Sequence, residues 1–250
     1  MQYQLIQQKE IKKFRRLPKA ERRTYYPLSH SQLRTYILHN MTGKEILVCN
    51  IPMIIPLDKK LERSELESLI LQVMSRHEIF RTTFQMLKRQ VVQKVWDQPL
   101  VDVSEMSTPV SMAELPQIIK SFIRPFNLNE LPLIRLRSFV LSNSLKQYLL
   151  IDMHHIVADW LTVQLLRQEI AAFLKREALP EVDYHFKDYV MLERSRAFRR
   201  KLKVSEDYWI NQMSGDLPVL KLPSDVVEKS LQKMFAGKNY TFTIDQEILE

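Results

Sequence analysis

The stretch Tyr148-Leu149-Leu150-Ile151-Asp152-Met153-His154-His155-Ile156-Val157-Ala158-Asp159-Trp160-Leu161 constrains the fold of this chain more than any other. Its first half is an apolar run of strand length without strict alternation, the pattern of a strand covered on both faces. That reading puts His154 and His155 at the tip of a central strand. Beyond the polar break, Val163, Leu166, Ile170 and Phe173 recur at spacings of three and four, which predicts a helix. Asp159 stands where that helix needs its N-cap or first-turn acid. Strand, sharp connection and helix start make a rigid corner, and neighbouring side chains on it diverge. One imidazole is therefore expected to face inward and the other a cavity. Two readings remain at this point: histidines that satisfy buried backbone groups beside a capping aspartate, or a site.

The rest of the composition narrows the second reading. A chain of 250 residues with 45% hydrophobic and 26% charged residues can bury a full core in one domain, or in one and a fraction. No apolar run reaches the ~18 residues of a membrane span, and Met1-Gln2-Tyr3-Gln4 leads into charge rather than a signal-peptide core, so a soluble, cytoplasmic protein is expected. The lone Cys49 excludes an internal disulfide and a cysteine-based zinc cluster. With only Gly43, Gly215 and Gly237 available, neither a Walker loop nor the Gly-x-Gly-x-x-Gly fingerprint can be written. The net charge of +8 comes largely from a basic arm between Lys9 and Arg23. That arm lacks the interleaved aromatics and the following motif of a nucleic-acid binder, so it reads as a solvated lead-in helix whose field attracts an acidic protein partner.

Along the chain, Ser29 and Gln32 form a capping-box pair, with Leu28 and Leu33 as the hydrophobic staple across it. Ile46 to Ile55 reads as a strand made irregular by Pro52. Asp58 is read as the cap of a helix carrying Leu66, Leu69, Ile70, Val73 and Met74 and stopping near Ser75. Phe80, Thr82 and Phe84 alternate as in a half-buried strand that returns through Lys88-Arg89-Gln90. Val101 to Pro109 reads as irregular, and a helix from Glu114 to Ile123 ends before Pro125. Leu133 to Arg137 and the strand into His154 flank Ser142-Asn143-Ser144 as a hairpin. Arg194 to Lys203 is a basic helix face, and Tyr240 to Ile244 opens a strand.

Several of these stretches together resemble one family. His154-His155-Ile156-Val157-Ala158-Asp159 resembles the His-His-x-x-x-Asp signature of the condensation domains of nonribosomal peptide synthetases, relatives of chloramphenicol acetyltransferase, with Trp160 where the usual pattern has Gly. Leu28-Ser29-x-x-Gln32-x-Arg34-x-Tyr36 is similar to that family's first motif. Arg76-His77-Glu78-Ile79-Phe80-Arg81-Thr82-Thr83-Phe84 is close to its Arg-His-Glu-x-Leu-Arg-Thr-x-Phe, with Phe80 replacing Leu. Phe122 to Leu128 with Leu131-Pro132-Leu133, and Phe186-Lys187-Asp188-Tyr189, follow in the family's order. Tyr208-Trp209 with Leu217 to Pro223 looks like its crossing into a second lobe.

The resemblance covers Tyr26 to the C-terminus and implies a fold and a chemistry. The fold is an α/β (α+β) chloramphenicol acetyltransferase-like lobe, a mixed β-sheet flanked by helices. It implies a basic arm at 1–24, an N-terminal lobe at 25–203 and the incomplete start of a C-terminal lobe at 204–250. The reaction implied is attack by an amine on a thioester, both tethered by phosphopantetheine to acceptor and donor peptidyl carrier proteins, beside adjacent synthetase domains. No cofactor bound by this chain, no metal, no nucleic acid and no membrane are implied. His155 matches the family's active histidine; His154, Asp159 and Arg81 match structural positions, Asp159 by pairing with an Arg of the second lobe. Trp160 is expected to fill a pocket or narrow the substrate channel where Gly would leave space.

Imidazole titrates near pH ~6.5 in model peptides and exchanges protons readily at neutral pH. An α-amine of pKa ~7.7–8.0 is already partly neutral there, so prior deprotonation saves only about 1 kcal/mol. A base gains more as the C–N bond forms, ~10²- to 10⁴-fold, with positioning of the two tethered substrates beside it. Without a serine elbow or an activated cysteine, a covalent intermediate is not expected. Two further readings are a non-catalytic module that docks carrier proteins, and an acyltransferase using acyl-coenzyme A. The isolated chain is expected to be poorly active, since the family's site lies between two lobes.

Overall fold

The computed structural model describes residues 17–41, 47–144, 146–220 and 242–245. Most of the basic arm, Lys221 to Pro223 and the start of the strand expected at Tyr240 lie outside those residues, while Phe242 to Ile244 are described without regular structure. The chain divides into two compact units, Met1–Glu206 and Asp207–Glu250.

Among the described residues, the first unit holds seven strands. β1 (Tyr26–Pro27), β4 (Gln90–Val95) and β3 (Thr82–Leu87) make a three-stranded antiparallel sheet in that order. β2 (Asn50–Pro56), β7 (Gln147–His154), β6 (Ile134–Val140) and β5 (Val103–Glu105) make a four-stranded mixed sheet, antiparallel except for β5 against β6. Helices α1 (His30–Met41), α2 (Arg63–Arg76), α3 (Leu115–Phe122), α4 (Trp160–Leu174), α5 (Phe186–Glu193) and α6 (Arg196–Gln212) complete the order.

β7 is the apolar run singled out above, and it lies between two neighbours with both faces covered. Leu149, Ile151 and Met153 join the main core with Leu66, Ile70, Val73 and Met74 of α2 and Val163, Leu166 and Ile170 of α4. On the other face Leu150 packs with Phe122 of α3 and Phe139 of β6. Burial on both sides is what a strand without alternation requires. The hairpin into it forms as expected, with Ile134 opposite Met153 and Arg135 opposite Asp152.

Four local expectations are corrected. The helix read from Asp58 begins at Arg63, because Gln147 claims the intervening backbone: Leu57 donates its N–H to the Gln147 carbonyl, and the Gln147 side chain bonds both the N–H and the C=O of Leu61. Phe80 lies in a 3₁₀ turn, Glu78–Arg81, rather than in the strand, which starts at Thr82 with its hydroxyl donating to the Glu78 carbonyl. Val101 to Pro109 contains β5, whose pairing with β6 is non-local and leaves no periodic signal of its own. Residues 17–24 run without helix, held by Ala20 N–H donating to Asp188 and Arg23 N–H donating to Tyr26 Oη. The capping box holds as read, Ser29 N–H donating to Gln32 Oε1 and Gln32 N–H donating to Ser29 Oγ. In the second unit, residues 207–212 end α6, and 213–220 and 242–245 carry no helix or strand.

Candidate active site

β7 ends at His154, and the chain turns at once. His154 donates its N–H to the Leu133 carbonyl (3.0 Å), and His155 donates its N–H to the Cys49 carbonyl (2.7 Å) on the turn before β2. Ile156 N–H then donates to His154 Nδ1 (3.0 Å), and Val157 N–H to the His154 carbonyl (3.0 Å). The two imidazoles diverge. That of His154 is buried, 1% exposed, against the edge of Phe126. That of His155 is exposed and lies in the wall of a cavity of about 490 Å³.

Electrostatics separate the inner ring from the solvent. Burial, and then the neighbouring His39 and His155, push the His154 pKa down to about 3, so the ring is neutral at physiological pH. Its Nε2 meets His39 Nδ1 of α1 at 3.2 Å. Below it, on the same face of β7, Asp152 accepts from Asn50 Nδ2 (2.8 Å) and lies 3.9 Å from Arg135 Nε. Burial raises the Asp152 pKa to about 6 despite those two partners, and lowers that of Arg135 to about 10. The Arg135 guanidinium also stacks over Phe126 at 3.6 Å.

Asp159 caps α4 as read. Its Oδ1 accepts from Thr162 N–H (2.8 Å) and Thr162 Oγ1 (2.8 Å), and the backbone bond from Thr162 holds its pKa below the usual carboxylate range. Trp160 does not fill a pocket among the described residues: it is 71% exposed on the first turn of α4 and is absent from the cavity wall. The rigid turn at Asp159 aims that first helical residue outward. Arg81 is set back from the cavity, 3.6 Å from Glu78 and donating to the Trp96 carbonyl. Glu78 also accepts from Lys187 (2.8 Å). The chain neighbours of that pair, Ile79 and Phe186, both line the cavity beside His155, together with Leu38, Val48 and Val157.

Sequence reasoning missed His39, the Cys49 carbonyl and the Asn50–Asp152–Arg135 cluster. Only the last left a signal, an acid two residues before His154 inside an otherwise apolar strand, which demands a partner. No cluster of three or more metal-ligating side chains occurs among the described residues, and no described helix is long and apolar enough to cross a membrane.

The chain that carries this buried ring and this open imidazole matches one family in sequence. The family model described as Condensation domain matches residues 22–250. The chain belongs to the condensation domain family. Related sequences include tyrocidine synthase 2 of Brevibacillus parabrevis, 33% identical over 92% of this chain, and surfactin synthase subunit 2 of Bacillus subtilis (strain 168), 34% identical over 92%. The condensation-domain chain spans 6% of the length of each of those relatives. Among solved structures, the X-domain in complex with OxyB from teicoplanin biosynthesis superposes with a TM-score of 0.68 at 23% identity, over 85% of this chain and 48% of that one. The starter condensation domain of the rhizomide synthetase RzmA gives 0.65 at 18%, over 77% and 48%. The expected mixed sheet flanked by helices is thus the fold of condensation domains.

Proposed function

We propose that this chain is the histidine-bearing lobe of a condensation domain that joins two carrier-bound units through an amide. Residues 25–203 are the N-terminal lobe in this reading, 1–24 a basic arm, and 204–250 the start of a second lobe. The observation that carries it is the divergence at the strand tip, with His154 neutral and buried while His155 opens into the cavity. An aminoacyl amine attacks the donor thioester carbonyl carbon, the C–N bond forms and the C–S bond breaks. As the nitrogen becomes acidic its proton passes to the His155 imidazole, and from there to the departing thiolate, so the ring ends as it began. That step is worth ~10²- to 10⁴-fold, and holding both phosphopantetheine arms in place supplies much of the remainder.

Asp159, Arg81 and His154 act as scaffold, and Trp160 borders the approach to His155 from the rim of α4. Donor and acceptor carrier proteins and adjacent synthetase domains are the partners. A second reading, carrier docking without catalysis, is favoured by the exposed pair Trp160 and Leu161 beside the cavity. The test loads donor and acceptor carriers and follows dipeptidyl thioester with the intact protein and with His155→Ala. A loss of ~10²-fold or more supports the first reading. Wild-type turnover by the variant discards His155 as the base. Carrier binding without product in any context selects docking, and activity on a soluble acyl-coenzyme A selects a free acyl donor.

A further inference from the structure

We propose that His39 is a positioning residue for this site: its Nδ1 accepts the Nε2 proton of His154, and so holds the ring whose other nitrogen closes the turn around His155. The inference rests on the reading of His155 given above.

The argument starts from a count of protons. A neutral imidazole has one N–H and one acceptor nitrogen. His154 Nδ1 faces the N–H of Ile156 at 3.0 Å, so it must be the acceptor, and the ring proton is on Nε2. That N–H is buried with the ring and points at His39 Nδ1, 3.2 Å away, which must then be unprotonated. The two ring planes stand at 76° to each other with their centroids 5.0 Å apart. Burial lowers the His39 pKa, in the direction that keeps this acceptor available.

The consequence for His155 is geometric. Its backbone is fastened on the near side by its own N–H to Cys49 and on the far side by the Ile156 N–H to His154 Nδ1. The second fastening exists only in one tautomer and one ring orientation of His154. Without an acceptor at residue 39 the Nε2 proton is left buried and unpaired, and the ring gains by turning away from both bonds. A histidine of α1 thus reaches the backbone beside the reacting ring through two hydrogen bonds.

The test uses ¹⁵N-histidine NMR and turnover of carrier-bound substrates, both on the intact protein. Wild type is expected to show His154 with an acceptor-type Nδ1 and a slowly exchanging Nε2–H. His39→Asn, whose Oδ1 stands close to where Nδ1 stood, should keep that signal and keep kcat within about threefold. His39→Leu should lose it and lower kcat by roughly tenfold with little change in KM, the scale of removing the partner that orients a working histidine. A His154 proton on Nδ1 in wild type overturns the proposal even if His39→Leu fails to fold. So does His39→Leu with exchange and kcat unchanged. Expected NMR behaviour together with an active His155→Ala would instead remove the role of His155 and leave the His39–His154 bond standing.

Discussion

The tip of β7 divides into two layers that differ by one residue of sequence and by almost everything else. Beneath it His154, Asp152 and Arg135 form a buried polar layer, with half-buried Asn50 at its edge. On the rim His155, Asp159 and Trp160 face solvent or the cavity. In the buried layer the cost of desolvation sets which protons are held, taking His154 to about 3 and Asp152 to about 6. On the rim, groups remain free to meet a partner. Burial and exposure are thus split between adjacent residues, and substitutions in the two layers should fail in different ways.

The widest separation is expected between the histidines themselves. His155→Ala should lower amide formation by ~10²- to 10⁴-fold and leave the midpoint of urea unfolding nearly unchanged, as an exposed side chain carries little stability. An unfolding midpoint that falls along with the rate would erase the distinction between the layers. Arg135→Met comes next, since it strands the Asp152 carboxylate. It should cost about 3–5 kcal/mol, and a second change, Asp152→Leu, should recover much of it. The comparison is sharpened by the ion pair being no more than a repair of its own burial.

Acid should act on the buried layer with opposite signs. His154 holds a lowered pKa, so its contribution to stability is present above its unfolded value of ~6.5 and is lost as pH falls toward 3, about 2 kcal/mol by pH 5. Asp152 holds a raised pKa, so its contribution is present at low pH and is lost as pH rises through 6; moving from pH 7 to 5 restores about 1 kcal/mol. Urea titrations at the two pH values should show a steeper acid loss in Asp152→Asn than in wild type, and a flatter one in His154→Phe. Equal slopes in all three would mean that the layer is wet.

Smaller effects belong to the rim. Asp159→Ala removes the bonds from Thr162 and should cost about 1 kcal/mol, recovered by Asp159→Asn or Asp159→Ser. Trp160→Ala should leave stability within about 0.5 kcal/mol while altering which substrates are accepted. A change in stability with none in substrate scope would return Trp160 to the scaffold.

Much of the local structure was legible because it rests on neighbours in sequence. The Ser29–Gln32 box, the Asp159 cap and the apolar run of β7 each follow from residues within a few positions of one another, and all three form. Besides the lead-in at 17–24, which runs without helix, three elements were misread, namely the helix start at Arg63, the 3₁₀ turn at Glu78–Arg81 and β5. In the first and last, a distant partner decides: Gln147 takes the backbone of Leu57 and Leu61, and β6 recruits Val103 to Glu105. For Trp160 the sequence showed only that a bulky residue stands where glycine is usual; that its side chain is exposed on the first turn of α4 was decided by the fold.

Sequence alone determined that two histidines end a buried strand and that an aspartate opens the next helix, since strand burial and helix caps are governed by short-range pattern and stereochemistry. Only the tertiary structure decided which histidine is sealed and which is open, that His39 and Cys49 hold them from other elements, and that Asp152 finds Arg135 beneath. The reason is that burial and hydrogen-bond partnership belong to the packed interior, where residues 115 positions apart meet at 3.2 Å.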